Sequence, residues 1–194
     1  MVQFPFERRR PGAPAVVSIE GEAGIGKTAL LRGFLDGLPA SALALHGRSH
    51  ERVAMPFKAV DELMDALGEH LSKLPEEEAR ACLPPDAARL EQVFPGLRIG
   101  EPAPPDAGDL LGIDPIERRA HLFATARALF AGLARRGPLV LAVDDLQWAD
   151  PDSLALLAEV LRGSDAPALL LVVTRRPAPD EIELPTELAH LGVP

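Results

Sequence analysis

The chain reads as an α/β domain of three layers around a mainly parallel sheet. Three observations predict it. Short apolar runs alternate with amphipathic helical stretches along most of the 194 residues. Two of those runs, Leu139 to Val143 and Ala168 to Val173, are apolar at every position, as strands covered on both faces should be. A third run, Ala15 to Glu20, leads directly into the octet Gly21-Glu22-Ala23-Gly24-Ile25-Gly26-Lys27-Thr28, which fits G-x-x-x-x-G-K-[ST] at every fixed position.

Taken in order, residues 1 to 14 hold Pro5, Pro11, Gly12, Pro14 and the basic run Arg8-Arg9-Arg10, and read as an irregular solvated tail. Ala15 to Glu20 is the first strand. After the octet, Leu30, Leu31, Phe34, Leu35 and Leu38 form one helical face, stopped by Gly37 and Pro39. Ser41 to His46 is a short second strand, ending in a loop from Gly47 to His50. Phe57, Val60, Leu63, Met64, Leu67, Leu71 and Leu74 make an amphipathic helix between Pro56 and Pro75, with the stripe read as core.

From Pro75 to Asp114 the chain is proline-rich and reads as an insertion. Glu76 to Leu83 and Asp86 to Phe94 are short helices, and Gly96 to Gly112 is a long loop. Asp114-Pro115-Ile116-Glu117 starts a helix: a capping Asp, proline in the first turn and Glu at the third helical position. That helix runs to about Arg136, with Ile116, Ala120, Phe123, Ala126, Phe130 and Leu133 inward, until Gly137 and Pro138 stop it. The third strand follows. Asp150-Pro151 begins another helix, Asp150 being its cap and not a catalyst, and Gly163 closes it. Ala168 to Val173 is the fourth strand, and beyond Pro177 the only expected element is a short helix from Thr186 to Leu191.

Composition narrows the chemistry. Hydrophobic residues make up 47% and charged residues 25%, the globular balance. A net charge of −9 argues against a nucleic-acid surface, which needs a positive field. The single Cys82 excludes an internal disulfide framework, fits a reducing compartment and reads as an inert helix residue. Met1 to Arg10 lacks the apolar core of a signal peptide, and no apolar run is long enough to span a bilayer. The expectation is a soluble, cytoplasmic protein. His46 and His50 stand four apart, but Gly47 and the turn-like surroundings do not make a metal pair.

The octet carries the main chemistry. Its glycines let successive backbone N–H groups point inward at a phosphate, where a Cβ would obstruct. Lys27 reaches the β- and γ-phosphates, the Thr28 hydroxyl ligates Mg²⁺, and the helix beginning there adds its positive dipole end. The third strand ends in Asp144-Asp145, at the strand ends where open α/β sheets bind ligands. Asp144 is assigned to the metal shell and Asp145 to the attacking water. The fourth strand ends in Thr174, Arg175 and Arg176, where a polar or cationic group can sense a γ-phosphate.

The octet, with Asp144-Asp145-Leu146-Gln147-Trp148-Ala149-Asp150, resembles the ATPase module of the STAND signal-transduction NTPases. These are AAA+-like modules found in large ATP-binding LuxR-class transcription regulators and bacterial multidomain signalling proteins. The stretch Leu171-Val172-Val173-Thr174-Arg175-Arg176 resembles that family's sensor strand and places its arginine on Arg176. His46-Gly47-Arg48 through Met55-Pro56-Phe57 resembles the segment after the second strand.

The resemblance covers most of residues 15 to 177. It implies a P-loop NTPase fold of the ASCE type, with the Walker B strand not adjacent to the Walker A strand and the sensor strand between them. It implies ATP and Mg²⁺ as ligands, slow hydrolysis as a conformational switch, and protein partners or self-association. Residues 1 to 14 match nothing of the family's N-terminal adenine-pocket segment, and a fifth strand and helical lid are expected but not found before Pro194. The chain is therefore read as a fragment or truncated product, with residues 178 to 194 an incomplete C-terminal segment. The alternative is a nucleotide-binding or interaction remnant without catalysis. A small-molecule phosphotransferase and a transporter ATPase fit less well, for want of an acceptor pocket and of a serine-glycine-glycine-glutamine signature.

Overall fold

The computed structural model describes residues 12–51, 55–97, 114–163 and 165–177. Its four strands are β1 (Ala15–Glu20), β2 (Leu43–Arg48), β3 (Leu139–Asp144) and β4 (Leu169–Arg175). They form one sheet in the order β1-β4-β3-β2, and every neighbouring pair is parallel. The strand before the glycine loop is thus separated by β4 from the strand that ends in the acid pair. Parallel neighbours need crossover connections, and helices supply them: α1 (Lys27–Asp36), α2 (Lys58–Ser72), α3 (Glu76–Arg80), α4 (Ala87–Val93), α5 (Pro115–Arg136) and α6 (Pro151–Leu161).

The two-residue period of β3 divides the core. Leu139, Leu141 and Val143 enter the larger cluster with α2, α5 and α6, among them the fully buried Leu63, Leu67, Leu129 and Leu156. Val140 and Ala142 face the other way, onto Leu31 of α1 with Ile19 and Val172. This is the three-layer sandwich. Full burial of each leucine stabilises the fold by about 2 kcal/mol.

Several expectations are corrected. β2 runs to Arg48, not to His46, because its pairing with β3 continues through Gly47↔Val143 and Arg48↔Asp144. Gly47 belongs in the strand for a packing reason. A Cβ there would meet the Glu62 Cβ at 3.0 Å and the Ala59 carbonyl oxygen at 3.2 Å, so the glycine lets α2 lie close. Of the stripe expected on α1, only Leu31 is fully buried, with Leu35 and, just past the helix, Leu38 partly so, whereas Leu30 and Phe34 are exposed. The true stripe is i, i+4, i+7, and the other two leave its side. On α5, Ile116 is 81% exposed and Ala120 is also exposed. Its first turns overhang the core, and burial begins at Leu122 and Phe123.

The loop expected from Gly96 begins instead with a 3-10 turn, Pro95–Leu97. Gly68 of α2 touches it, since a Cβ on Gly68 would lie 1.8 Å from the Gly96 carbonyl oxygen. The rest of that loop, the basic run at Arg8 to Arg10 and the Thr186 to Leu191 helix lie outside the described residues. Among the described residues, no helix is long and apolar enough to cross a membrane.

Candidate nucleotide site

The site collects at the carboxyl ends of the strands. β1 leaves the sheet at Glu20, and the loop from Gly21 to Gly26 delivers the chain to α1. Gly24 (φ +79°) and Gly26 (φ +102°) hold left-handed conformations that a side chain would resist. A Cβ on Gly21 would come within 2.7 Å of Ile25 Cγ2. Gly26 caps α1 without any side-chain hydrogen bond, and the first turn carries no acid. Here α1 differs from α5 and α6, whose first N–H groups are met by Asp114 and Asp150. The first-turn N–H groups of α1 thus have no side-chain cap, which leaves them open to an anion.

Lys27 is buried and folds back over the loop, donating to the carbonyl oxygens of Gly21 (2.7 Å) and Glu22 (3.0 Å). Thr28 Oγ1 donates to Asp144 Oδ2 at 2.8 Å, joining the loop to the end of β3 across 116 residues of sequence. Asp144 is 1% exposed, and its other oxygen accepts from the buried Thr174 hydroxyl of β4. Thr174 Oγ1 also accepts from the Asp145 N–H at 2.9 Å. One hydroxyl on the intervening strand thus fixes both acids.

Asp145 turns the chain out of β3 with φ 58° and ψ 45°, a left-handed conformation that aspartate tolerates better than most residues. Its Oδ2 accepts from Arg48 Nε (3.2 Å) and Nη2 (2.9 Å), and its Oδ1 from Gln147 Nε2 (3.0 Å). Burial pushes this carboxyl upward, but the hydrogen bonds from Gln147 and Arg48 outweigh it and hold Asp145 below the ordinary carboxylate range. Lys27 adds a smaller pull in the same direction.

Of the residues singled out from sequence, Lys27, Thr28, Asp144, Asp145 and Thr174 come together in this one place. Arg175 points instead to Glu20 at the end of β1, with Nε 2.7 Å from Oε1. The Arg176 guanidinium lies 5.8 Å from the centroid of the Trp148 ring, and its backbone N–H donates to Gln147 Oε1 at 3.2 Å. Arg48 and Gln147 were given no role by the sequence. Strand parity held the only signal for Arg48, because extending β2 by two residues sets it opposite Asp144. Among the described residues no three His, Cys, Asp or Glu converge on a possible metal position.

Asp150 caps α6 through the Ser153 N–H at 2.9 Å, as expected. It has a second task. Its carboxylate also accepts from the N–H groups of Phe57 (2.8 Å) and Lys58 (3.0 Å) at the start of α2. Ser153 Oγ donates to Asp150 and accepts from Ala59 and Val60. One Asp-Ser pair thus serves the first turns of two helices.

The sequence matches the family model of the AAA ATPase domain over residues 1–173. An uncharacterized protein of Rhizobium meliloti (strain 1021) is 35% identical over 182 residues, covering 86% of this chain. The chain spans only 17% of that relative's length. The match takes in most of the chain, the all-parallel sheet of the described residues is consistent with such a domain, and the chain belongs to the AAA ATPase domain family.

Proposed function

We propose that this chain is the Mg-ATP-binding module of a STAND-type signalling or transcription-regulatory ATPase, hydrolysing ATP slowly as a conformational switch. The observation that carries the reading is the Thr28–Asp144 hydrogen bond at 2.8 Å. It brings together, from the first turn of α1 and the end of β3, a hydroxyl and a carboxylate of the kind that hold Mg²⁺ beside a polyphosphate. The donor set fits: two hard oxygen ligands, an adjacent lysine and an uncapped helix N-terminus. Mg²⁺ bound there supplies charge neutralisation for the β- and γ-phosphates.

The chain's own groups then divide the work. Loop N–H groups and the Lys27 ammonium, released from Gly21 and Glu22, bind the phosphates. Asp145 accepts a hydrogen bond from a water and aims its oxygen at the γ-phosphorus. The new P–O bond forms as the bond to the ADP oxygen breaks, and the water's proton passes to Asp145 and on to solvent, leaving ADP and inorganic phosphate. Arg176 is assigned to sensing the γ-phosphate, which requires its guanidinium to leave the Trp148 ring.

The ion pair between Arg48 and Asp145 favours a second reading, nucleotide binding without turnover, since a carboxylate held by arginine is a weak base. A phosphate-release assay separates the two. The expected result is slow release from ATP that stops when Mg²⁺ is chelated. Tight ATP binding with no release at any Mg²⁺ concentration would establish the binding-only reading instead.

A further inference from the structure

The geometry points to Gln147 as a positioning residue that holds the Asp145 carboxylate in place and ties it to the chain leaving β4. This rests on the reading of Asp145 as the group that orients the attacking water. Both ends of the Gln147 amide are engaged: Nε2 donates to Asp145 Oδ1 at 3.0 Å, and Oε1 accepts from the Arg176 N–H at 3.2 Å. A backbone N–H only donates and an ionised carboxylate only accepts, so the amide fits in one orientation. Flipped, it would set donor against donor and acceptor against acceptor.

Arg48 alone does not fix Asp145. Both of its N–H groups reach the same oxygen, Oδ2. An arginine fork prefers to engage both oxygens of a carboxylate, and rotation of Asp145 about its last torsion would allow that. Gln147 on Oδ1 opposes the rotation. The carboxylate is therefore held between the end of β2 on one side and the end of β4 on the other. A misplacement of about 1 Å costs roughly 100-fold in rate when geometry governs the step.

The connection continues to the phosphate loop. The Arg175 carbonyl accepts from the Gly21 N–H at 3.3 Å, and the Arg175 side chain pairs with Glu20. The dipeptide Arg175-Arg176 thus touches the first residue of the loop and, through Gln147, the acid that faces the water. A shift of this segment reaches both at once. Arg176 lying over Trp148 adds a second hold on the same turn.

Two variants separate positioning from bracing of the turn. Gln147→Glu keeps an acceptor for the Arg176 N–H but sets a like charge against Asp145. Gln147→Met keeps the length and removes both bonds. Mg-ATP hydrolysis by the full chain is measured for each, with kcat and KM resolved and thermal melting recorded. Expected are KM values within about twofold of the unsubstituted chain, melting nearly unchanged, and kcat lower by about 10- to 100-fold, with Gln147→Glu affected at least as much as Gln147→Met. Unchanged kcat in both variants overturns the proposal, and so does loss in Gln147→Met alone, which would mark a structural brace.

If the unsubstituted chain binds ATP but shows no turnover, the hydrolytic reading fails, and the link is read without turnover. Asp145→Asn should shift the Arg176 N–H nuclear magnetic resonance signal in the native background and not in Gln147→Met. No shift in either background overturns the link.

Discussion

Asp150→Ala is expected to lower the unfolding free energy by about 3 kcal/mol, a larger loss than one helix cap supplies. The reason is that four donors lose their partner: the N–H groups of Ser153, Phe57 and Lys58, and the Ser153 hydroxyl. Asp150→Asn should recover little, because its NH₂ would face an N–H wherever it points. The effect has a defined pH dependence. Burial raises the Asp150 carboxyl, but the bonds from Ser153 and Phe57 outweigh it and leave the folded-state value below the ordinary one. A depressed carboxylate stabilises fully above its unfolded value, about pH 4, and loses that contribution as pH falls through the folded one. The difference between Asp150→Ala and the unsubstituted chain, read by denaturant unfolding, should therefore be constant near neutrality and shrink below about pH 4. A difference that grows on acidification would contradict this account of the cap.

Asp145→Asn is expected to reduce ATP turnover by about 100-fold or more while leaving Mg-ATP affinity within about threefold. Asparagine keeps the size of the side chain and can still accept from Arg48. It lacks the charge that, in the proposed mechanism, orients the attacking water and takes its proton. Affinity should persist because Lys27, Thr28 and the loop N–H groups are untouched. Parallel loss of affinity and rate would assign Asp145 to nucleotide binding. Unchanged turnover would remove it from the mechanism.

The elements legible in sequence were those with local punctuation. Asp114-Pro115 and Gly137-Pro138 delimit α5 as Pro115–Arg136, and β1 coincides with the run read from Ala15 to Glu20. The end of β2 is not legible in sequence because Gly47, beside its sequence neighbours alone, reads as a turn. It is a strand residue because α2 lies against it. Ile116 and Ala120 follow the helical period of the α5 stripe, but a period does not reveal that the helix extends past the layer it packs on.

The site divides along the same line. Lys27, Thr28 and the acid pair belong to patterns whose spacing is set by phosphate chemistry, so sequence places them. Arg48 reaches Asp145 only because β2 and β3 pair in a particular register. Asp150 reaches Phe57 across 93 residues, a contact that no local pattern encodes. The Gln147 amide depends on the left-handed turn at Asp145, which aspartate permits but does not announce.

The measurement that bears most directly on the central claim is a calorimetric titration of Mg-ATP into the purified chain, run beside Lys27→Ala. Lys27 is buried and folds back over the loop to which the phosphates are assigned. Its removal should weaken binding by about 100-fold or more, roughly 3 kcal/mol, without unfolding the chain. Saturable binding by the native chain that is lost in the folded variant is the result this account predicts. A folded native chain that takes up no Mg-ATP, or a variant that binds as well as the native chain, would contradict it.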